Sequence, residues 1–170
     1  MKYTIIFLLM IGGGYYGWQH YQHSQDEKAN PDVITHPDYA TLRMNVVFPN
    51  RTVDGTLFVK TVDPADCQRN IQLLKDEAAH KLFAMCPQCE VQTAECVPQL
   101  PPREAILFEN KPTAVTYYSL ARGDRHEREM RIIYWGVTDA ESDKLCNGML
   151  MTPMNGRRGA ATCIRYNKND

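Results

Sequence analysis

The chain has 170 residues, and its 19 Lys and Arg residues nearly balance 20 Asp and Glu residues, which gives a formal net charge of −1 at pH 7. This balance indicates neither a nucleic-acid groove nor a polybasic contact with a membrane surface. We therefore expect no nucleic acid among the partners. The roughly 145 residues that follow the apolar N-terminal segment suit one domain with a core of its own.

The N-terminal segment from Tyr3 to Trp18 is apolar and uncharged. A helix of this length spans about 24 Å, less than a ~30 Å hydrocarbon core, so it fits both a short spanning helix and a signal peptide. Its aromatic end is typical of the interfacial belt of a retained anchor, whereas a cleaved signal usually ends in small residues. Lys2 precedes the segment and places the N-terminus in the cytoplasm.

We interpret residues 1–21 as an uncleaved, single-pass membrane anchor, with a cleaved signal or a buried core helix as alternatives. The remaining chain then lies in the periplasm or outside the cell. Polar residues 22–39 show neither helix nor strand periodicity and predict a linker, followed by a domain over 40–167 and a polar tail over 168–170. We interpret His20, His23 and His36 as solvated, because no acidic or cysteine residue stands at metal-ligand spacing from them.

Outside the cytoplasm cysteines persist as disulfides, and an even number of them permits complete pairing. We expect Cys146 to pair with Cys163, because a helix that packs on the sheet brings them together. An internal repeat then pairs Cys67 with Cys96 and leaves Cys86 with Cys89. The main rivals join Cys67 to Cys86 or Cys89. The six predicted disulfide cysteines are Cys67, Cys96, Cys86, Cys89, Cys146 and Cys163.

In the first half of the domain, apolar alternation predicts strands over residues 41–48 and 56–62, with a turn over 49–55 between them. Asp63 is a helix N-cap, Pro64 the first helical residue, and Cys67 begins an apolar stripe that reaches Leu82. The helix is expected to end near Ala84. The residues after Cys89 lack a helix stripe and are compatible with a strand.

In the second half, residues 97–102 predict a proline-rich connector, followed by strands over 104–109, 113–121 and 128–137, the last apolar on both faces and therefore central. The charged residues 124–131 are interpreted as a solvated strand end, with a partner-facing edge as the alternative, and the Arg122-Gly123-Asp124 tripeptide as a hairpin turn. Thr138 begins a second helix that ends near Pro153. Residues 160–166 form a last strand.

The two halves share one order of elements, with a shift of about 75 residues. The sequence therefore predicts an α+β fold: an N-terminal anchor helix plus one domain of antiparallel strands with two helices, arranged as two ββαβ-like halves. An unrelated α+β order is the alternative.

The Cys86-Pro87-Gln88-Cys89 segment is the most specific chemical motif. A redox-active pair needs its first cysteine at a helix N-terminus, but this pair follows a helix, so we favour structural disulfides. Zinc bound by Cys86, Cys89 and Cys96, with His80 or Cys67 as fourth ligand, is a weaker alternative.

Hydrolysis through His80 or His126 is another weak alternative, because neither histidine belongs to a recognisable catalytic motif. We assign no catalytic, cofactor or metal residues. The sequence favours a membrane-tethered, periplasmic interaction or assembly-support module that binds another envelope protein and has no catalytic activity. A thiol-disulfide oxidoreductase that uses Cys86 and Cys89 is the alternative.

If the segment from Tyr3 to Trp18 is a retained anchor, the protein in native membranes should begin at Met1 and resist alkaline and high-salt extraction, because salt does not screen apolar burial. N-terminal sequencing and fractionation measure both properties. A soluble mature form that begins near residue 20 would contradict the prediction.

Overall fold

A computed structural model describes residues 24–48, 50–77, 89–151 and 157–165. The chain divides into two compact units, Met1–Val33 and Ile34–Asp170. In the first unit, residues 24–29 are helical, although the sequence pattern predicted a linker without periodicity there. The predicted anchor from Tyr3 to Trp18 lies outside the described residues. Within the described part of the chain, no helix has both the length and the apolar character needed to cross a membrane.

The second unit is built on a six-stranded sheet with the order β3-β1-β2-β5-β4-β6, in which all neighbouring strands are antiparallel. This confirms the predicted α+β class with antiparallel strands. The strands are β1 (Asp38–Phe48), β2 (Arg51–Thr61), β3 (Glu90–Val97), β4 (Tyr117–Leu120), β5 (Glu129–Trp135) and β6 (Ala161–Ile164). The helices are α1 (Pro64–Glu77), α2 (Pro102–Ala105) and α3 (Asp139–Leu150), with a 3-10 helix at Ile106–Glu109 directly after α2.

Two halves of the same topology make up the sheet. In the first half β1 lies between β2 and β3, and in the second β4 lies between β5 and β6. The halves join through β2 and β5, where Leu57 lies opposite Ile132. These two residues are 75 positions apart (132 − 57 = 75), which equals the shift between the halves in the sequence. The seam is therefore centred on a pair of equivalent residues.

Both long helices cover the same face of the sheet. Cys67, Ile71 and Leu74 on α1 pack with buried residues of β1 and β2, and Cys146 on α3 packs with Tyr118 and Leu120 of β4. Met130 of β5 contacts both clusters, so the two helices lie on one side.

The caps of both long helices follow the predicted pattern. Asp63 Oδ1 accepts a bond of 2.7 Å from the Asp66 amide, and Thr138 and Glu141 form a capping box.

The opposite face is covered by the connector between the halves, residues 98–116. Here the predicted strand over 104–109 is wrong, since α2 and the 3-10 helix occupy these residues. Pro102 stands in the first turn of α2, where its fixed φ favours a helix. Asn110, which is left-handed (φ 54°), ends the 3-10 helix. The apolar residues that suggested a strand instead place Leu107 in a cluster with Phe58 and Ile133 of the sheet.

Several strand boundaries also differ from the prediction. β1 begins at Asp38, within the predicted linker of residues 22–39, because Asp38 and Tyr39 pair with Thr61 and Lys60 of β2. β2 begins at Arg51, within the predicted turn over residues 49–55. Gly55 is therefore a mid-strand residue that lies opposite Met44. A Cβ at Gly55 would lie 3.2 Å from the Met44 and Tyr134 side chains, so the glycine permits close packing. β4 begins only at Tyr117, because the Thr116 amide donates to Ser142 Oγ of α3 (3.2 Å) and not to a neighbouring strand.

Two glycines hold the β4–β5 loop against the loop before β6. A Cβ at Gly159 would lie 1.9 Å from the Ala121 carbonyl oxygen, and one at Gly123 would lie 2.1 Å from the Gly159 nitrogen. Both contacts involve backbone atoms, which cannot rotate away. By contrast, a Cβ at Gly148 in α3 would meet nothing within 4 Å.

We expect Gly159→Ala to lower the free energy of unfolding by more than ~2 kcal/mol, because the loops must separate to admit the methyl group. Gly148→Ala is the matched control and should raise it by up to ~1 kcal/mol, because alanine favours the helix. Urea denaturation of the oxidised protein measures both. Equal effects of the two substitutions would contradict the packing of the loops.

Candidate functional site

Disulfides bond each long helix to the outermost strand of its own half. Cys67 of α1 is bonded to Cys96 of β3, and Cys146 of α3 to Cys163 of β6, with Cα–Cα distances of 6.0 and 5.9 Å. Helix packing on the sheet predicted the bond of Cys146 to Cys163, and the internal repeat predicted the bond of Cys67 to Cys96. Each closed loop contributes about 3 kcal/mol in the chain-entropy model. Cys89 is buried and disulfide-bonded as well, whereas Cys86 lies outside the described residues.

The positions of the cysteines and histidines bear on the alternative chemistries. The zinc interpretation needed the thiolates of Cys89 and Cys96, but Cys96 is bonded to Cys67 and Cys89 is disulfide-bonded as well, so that interpretation is wrong. Within the described ranges, no group of three or more His, Cys, Asp or Glu residues could hold a metal ion. His126 is exposed in the β4–β5 loop, where its Nε2 lies 3.4 Å from Arg125 Nε, and His80 lies outside the described residues.

The Arg122-Gly123-Asp124 tripeptide lies in the β4–β5 hairpin loop, as predicted. The Arg122 guanidinium donates to the carbonyl oxygens of Asp124, Arg125 and Glu127, so it braces its own loop. The Glu127 carboxylate accepts bonds of 2.6 to 3.0 Å from the amides of Gly123, Arg158 and Gly159. Partial burial opposes ionisation of Glu127, but these amide bonds outweigh it and lower its pKa. One carboxylate thus joins two loops.

A buried ion pair joins the two halves. Arg128, just before β5, donates from Nε to Asp66 Oδ2 of α1 at 2.5 Å, and the two side chains are 10% and 6% exposed. Burial raises the pKa of Asp66. The bonds from Arg128 and the Val62 amide, with the charges of Arg128 and Arg69, outweigh burial and lower the pKa below its usual range. The prediction that the charged residues 124–131 form a solvated strand end is therefore wrong for Arg128.

Arg131 is also buried, and it fixes the connector to the sheet. Its guanidinium donates to the carbonyl oxygens of Leu107 and Leu120, at 2.9 and 3.1 Å, and to the Asn110 side chain. Burial lowers the pKa of Arg131, and the Glu129 carboxylate partly offsets this. Because β5 lies between β2 and β4, it is not the partner-facing edge that we considered. The sequence did contain a sign that Arg131 is buried, because position 131 shares a strand face with the apolar residues Ile133 and Trp135.

A cleft lies between the start of β1 and the beginning of the connector. Residues 35–39 form one wall, residues 98–100 and Ala105 form the other, and the volume is about 430 Å³. This size suits a small ligand or a few side chains of a peptide. Its apolar lining comes from prolines, Leu100 and the ring of Tyr39, which packs against Phe108 at 5.2 Å. Its polar groups are the side chains of Thr35, His36, Asp38 and Gln99.

The floor of this cleft continues into a row of polar side chains across three strands. Tyr39, Lys60 and Glu129 lie side by side in register on the connector face, and Lys60 Nζ lies 3.5 Å from Glu129 Oε1. Burial and the nearby Glu129 carboxylate raise the pKa of Tyr39, so its hydroxyl keeps its proton at neutral pH. The row offers hydrogen-bond donors and one carboxylate, and it contains no nucleophile paired with a base. This chemistry suits binding.

Comparison with known proteins gives no relative from which a function could be carried over. No protein-family model matches the chain, and searches of curated proteins and of solved structures find no significant match.

We expect Arg128→Met to lower the free energy of unfolding by about 3–5 kcal/mol at pH 7, because Asp66 stays buried without its partner. Arg69→Met is the matched control, because Arg69 contacts the same carboxylate with a side chain that is 58% exposed, and it should cost less than ~1 kcal/mol. Urea denaturation measures both.

The effect of Arg128→Met should also depend on pH. Because the folded-state pKa of Asp66 is lowered, its ion-pair stabilisation is fully present above the unfolded pKa of about 3.9 and is lost as the pH falls through the folded value. In the variant the buried, unpaired carboxyl should protonate at a higher pH, so the stability difference between the wild-type protein and the variant should shrink progressively as the pH falls from 7 to 3. A difference that stays constant from pH 7 to pH 3 would contradict this assignment.

Proposed function

We propose that the chain is an exported, membrane-tethered binding module that interacts with another envelope protein and performs no catalysis. The observation that carries the proposal is the pair of disulfides between helices and outer strands. Structural disulfides persist in oxidising compartments and are rare in the cytosol, so this pattern supports an exported domain. The apolar segment from Tyr3 to Trp18 supports retention of the domain at the membrane.

The use of the charged side chains supports binding over catalysis. Asp66, Glu104 and Glu127 each accept bonds that hold one part of the fold to another, and Arg131 fixes the connector. Groups that carry out catalysis usually face a cleft with a pKa shifted towards neutrality. The lowered pKa values of Asp66 and Glu127 are what such structural bonds produce.

The favoured contact surface is the cleft between residues 35–39 and 98–105. It combines an apolar lining with hydrogen-bonding side chains, which is the usual composition of a recognition pocket. One wall is the segment that leads into β1 and the other is the connector, and bonds from Tyr117 and Arg131 to the Leu107 carbonyl hold the connector in place. A wall fixed in this way loses little entropy on binding.

Thiol-disulfide exchange through Cys86 and Cys89 is the less favoured function. Cys89 is only 3% exposed, and β3 begins directly after it, so its backbone lies at the start of a strand. The helix dipole that lowers a thiol pKa in redox enzymes is not available from this strand.

The disulfides on which the proposal depends can be tested by peptide mapping of the protein from native membranes under non-reducing conditions. We expect peptides that join Cys67 to Cys96 and Cys146 to Cys163. Free thiols should be absent under native trapping, and insulin reduction should stay at background. Free thiols in the native protein, or insulin turnover abolished by Cys86→Ser, would favour the oxidoreductase.

The binding part is tested with a photoreactive residue placed at Gln99, which is exposed and lines the cleft, and at Lys75, which is exposed on α1. In intact cells we expect a discrete crosslinked envelope protein from position 99 and none from position 75. The same crosslink from both positions, or from neither, would contradict the use of the cleft.

A further inference from the structure

The cleft opens where the ladder of hydrogen bonds between β1 and β3 stops. The last pair of that ladder is Tyr39 opposite Val97. Pro98 follows Val97 directly, and Pro37 stands two residues before Tyr39. Because a proline has no backbone N–H to donate, the ladder cannot continue regularly past these two positions. The two chains separate there, so the cleft is built into the fold and is present before any ligand binds.

Three polar side chains of the cleft are not used to hold the fold together. The Asp38 carboxylate has no hydrogen bond or ion pair within the described part of the chain, although the carbonyl of the same residue accepts from Thr61 Oγ1 at 2.8 Å. The Tyr39 hydroxyl and the Gln99 amide have no hydrogen bond to described residues either. Asp38 is half-buried, so water screens its charge less than it screens the charge of an exposed residue.

The charge of Asp38 is also uncompensated by its surroundings. Among the described residues that line the cleft, Asp38 is the only acidic one and none is lysine or arginine. Lys60 and Arg43, which lie on the connector face of the sheet, are 3.5 and 2.7 Å from Glu129 and Glu104. Each of these basic groups is therefore paired with its own carboxylate. A ligand that brings a positive charge would supply the partner that Asp38 lacks.

The apolar walls suit the stem of a basic side chain. Leu100 is only 4% exposed, and the rings of Pro37, Pro98 and Tyr39 line the cleft with it. Lysine and arginine bury their methylene stems along apolar surfaces of this kind, and an aromatic ring attracts a cation near its face. One basic side chain fills only part of the volume of about 430 Å³, so a neighbouring apolar residue also fits.

We propose that the cleft takes a lysine or arginine side chain, with an adjoining apolar residue, from an extended segment of the partner protein. This inference rests on the proposed function, in which the cleft is the contact surface. The basic group pairs with Asp38 while its stem packs on the apolar walls. Gln99, which is exposed at the rim, can donate to and accept from the backbone of the segment. A charge-assisted bond to a half-buried carboxylate then favours basic segments over neutral ones.

The test uses the peptide acetyl-Leu-Arg-Leu-amide, and its control is the same peptide with citrulline, which resembles arginine in shape but has no charge. NMR follows the backbone amide shifts of the isotope-labelled, oxidised full chain at neutral pH. We expect the arginine peptide to shift residues 35–39 and 98–100 saturably, with a dissociation constant at least about tenfold lower than that of the citrulline peptide.

Two variants test the role of the carboxylate. Asp38→Asn should reduce the affinity for the arginine peptide to that for the citrulline peptide. Asp54→Asn is the matched control, because it removes the same charge from an exposed residue at the other end of β2, and it should leave the affinity unchanged. Thermal unfolding checks that both variants are folded, and the comparison of the two peptides on the wild-type protein needs no variant.

Several outcomes would overturn the proposal. Equal affinities of the arginine and citrulline peptides would show that the cleft does not recognise a cation. Shifts centred elsewhere, or an equal loss of affinity in both variants, would show a diffuse attraction to acidic residues. If neither peptide binds while the crosslink from position 99 persists, this inference fails and the proposed function stands. If the crosslink from position 99 is absent, the proposed use of the cleft fails, and this inference fails with it.

Discussion

The pairing of β2 with β5 is the constraint on which the rest of the domain depends. Each half alone is a three-stranded sheet with one helix, and the seam joins them into a single antiparallel sheet through seven residue pairs, from Asp54 opposite Trp135 to Lys60 opposite Glu129. Because Leu57 and Ile132 are equivalent positions at its centre, the seam places both long helices on one face. The ion pair of Arg128 with Asp66 closes the same junction at its edge.

The sequence predicted the repeated parts of this fold well, because their signals are local. Strand alternation, the caps at Asp63 and Thr138, and the apolar helix stripes each depend on residues a few positions apart. The disulfide pairs followed from the same signals, since a cysteine on a helix stripe faces the sheet and its partner lies on the next strand. Once Cys146 was paired with Cys163, the repeated topology predicted that Cys67 pairs with Cys96.

The connector and the buried arginines could not be predicted in this way. The apolar residues 105–108 resemble a strand by composition, and only their packing on Phe58 and Ile133 shows that they form a cover. Arg131 was taken as solvated because arginine is seldom buried, yet the carbonyl groups of Leu107 in the connector and Leu120 in β4 satisfy its guanidinium. Gly55 was taken as part of a turn because glycine is common in turns. A glycine is needed there for a different reason, which is its close contact with Met44 and Tyr134 across the sheet.

The features that support function lie where the two halves differ. Two residues separate β1 from β2, whereas residues 121–128 separate β4 from β5, so the hairpin of the second half has the longer loop. The connector has no counterpart among the residues that the structure describes, and it forms one wall of the cleft. The strands and long helices that both halves share carry the packing of the sheet, so their residues are constrained by the fold. The connector packs on the sheet through Leu107 but leaves its first residues at the cleft, so it can carry partner-binding side chains there while its later residues stabilise the core.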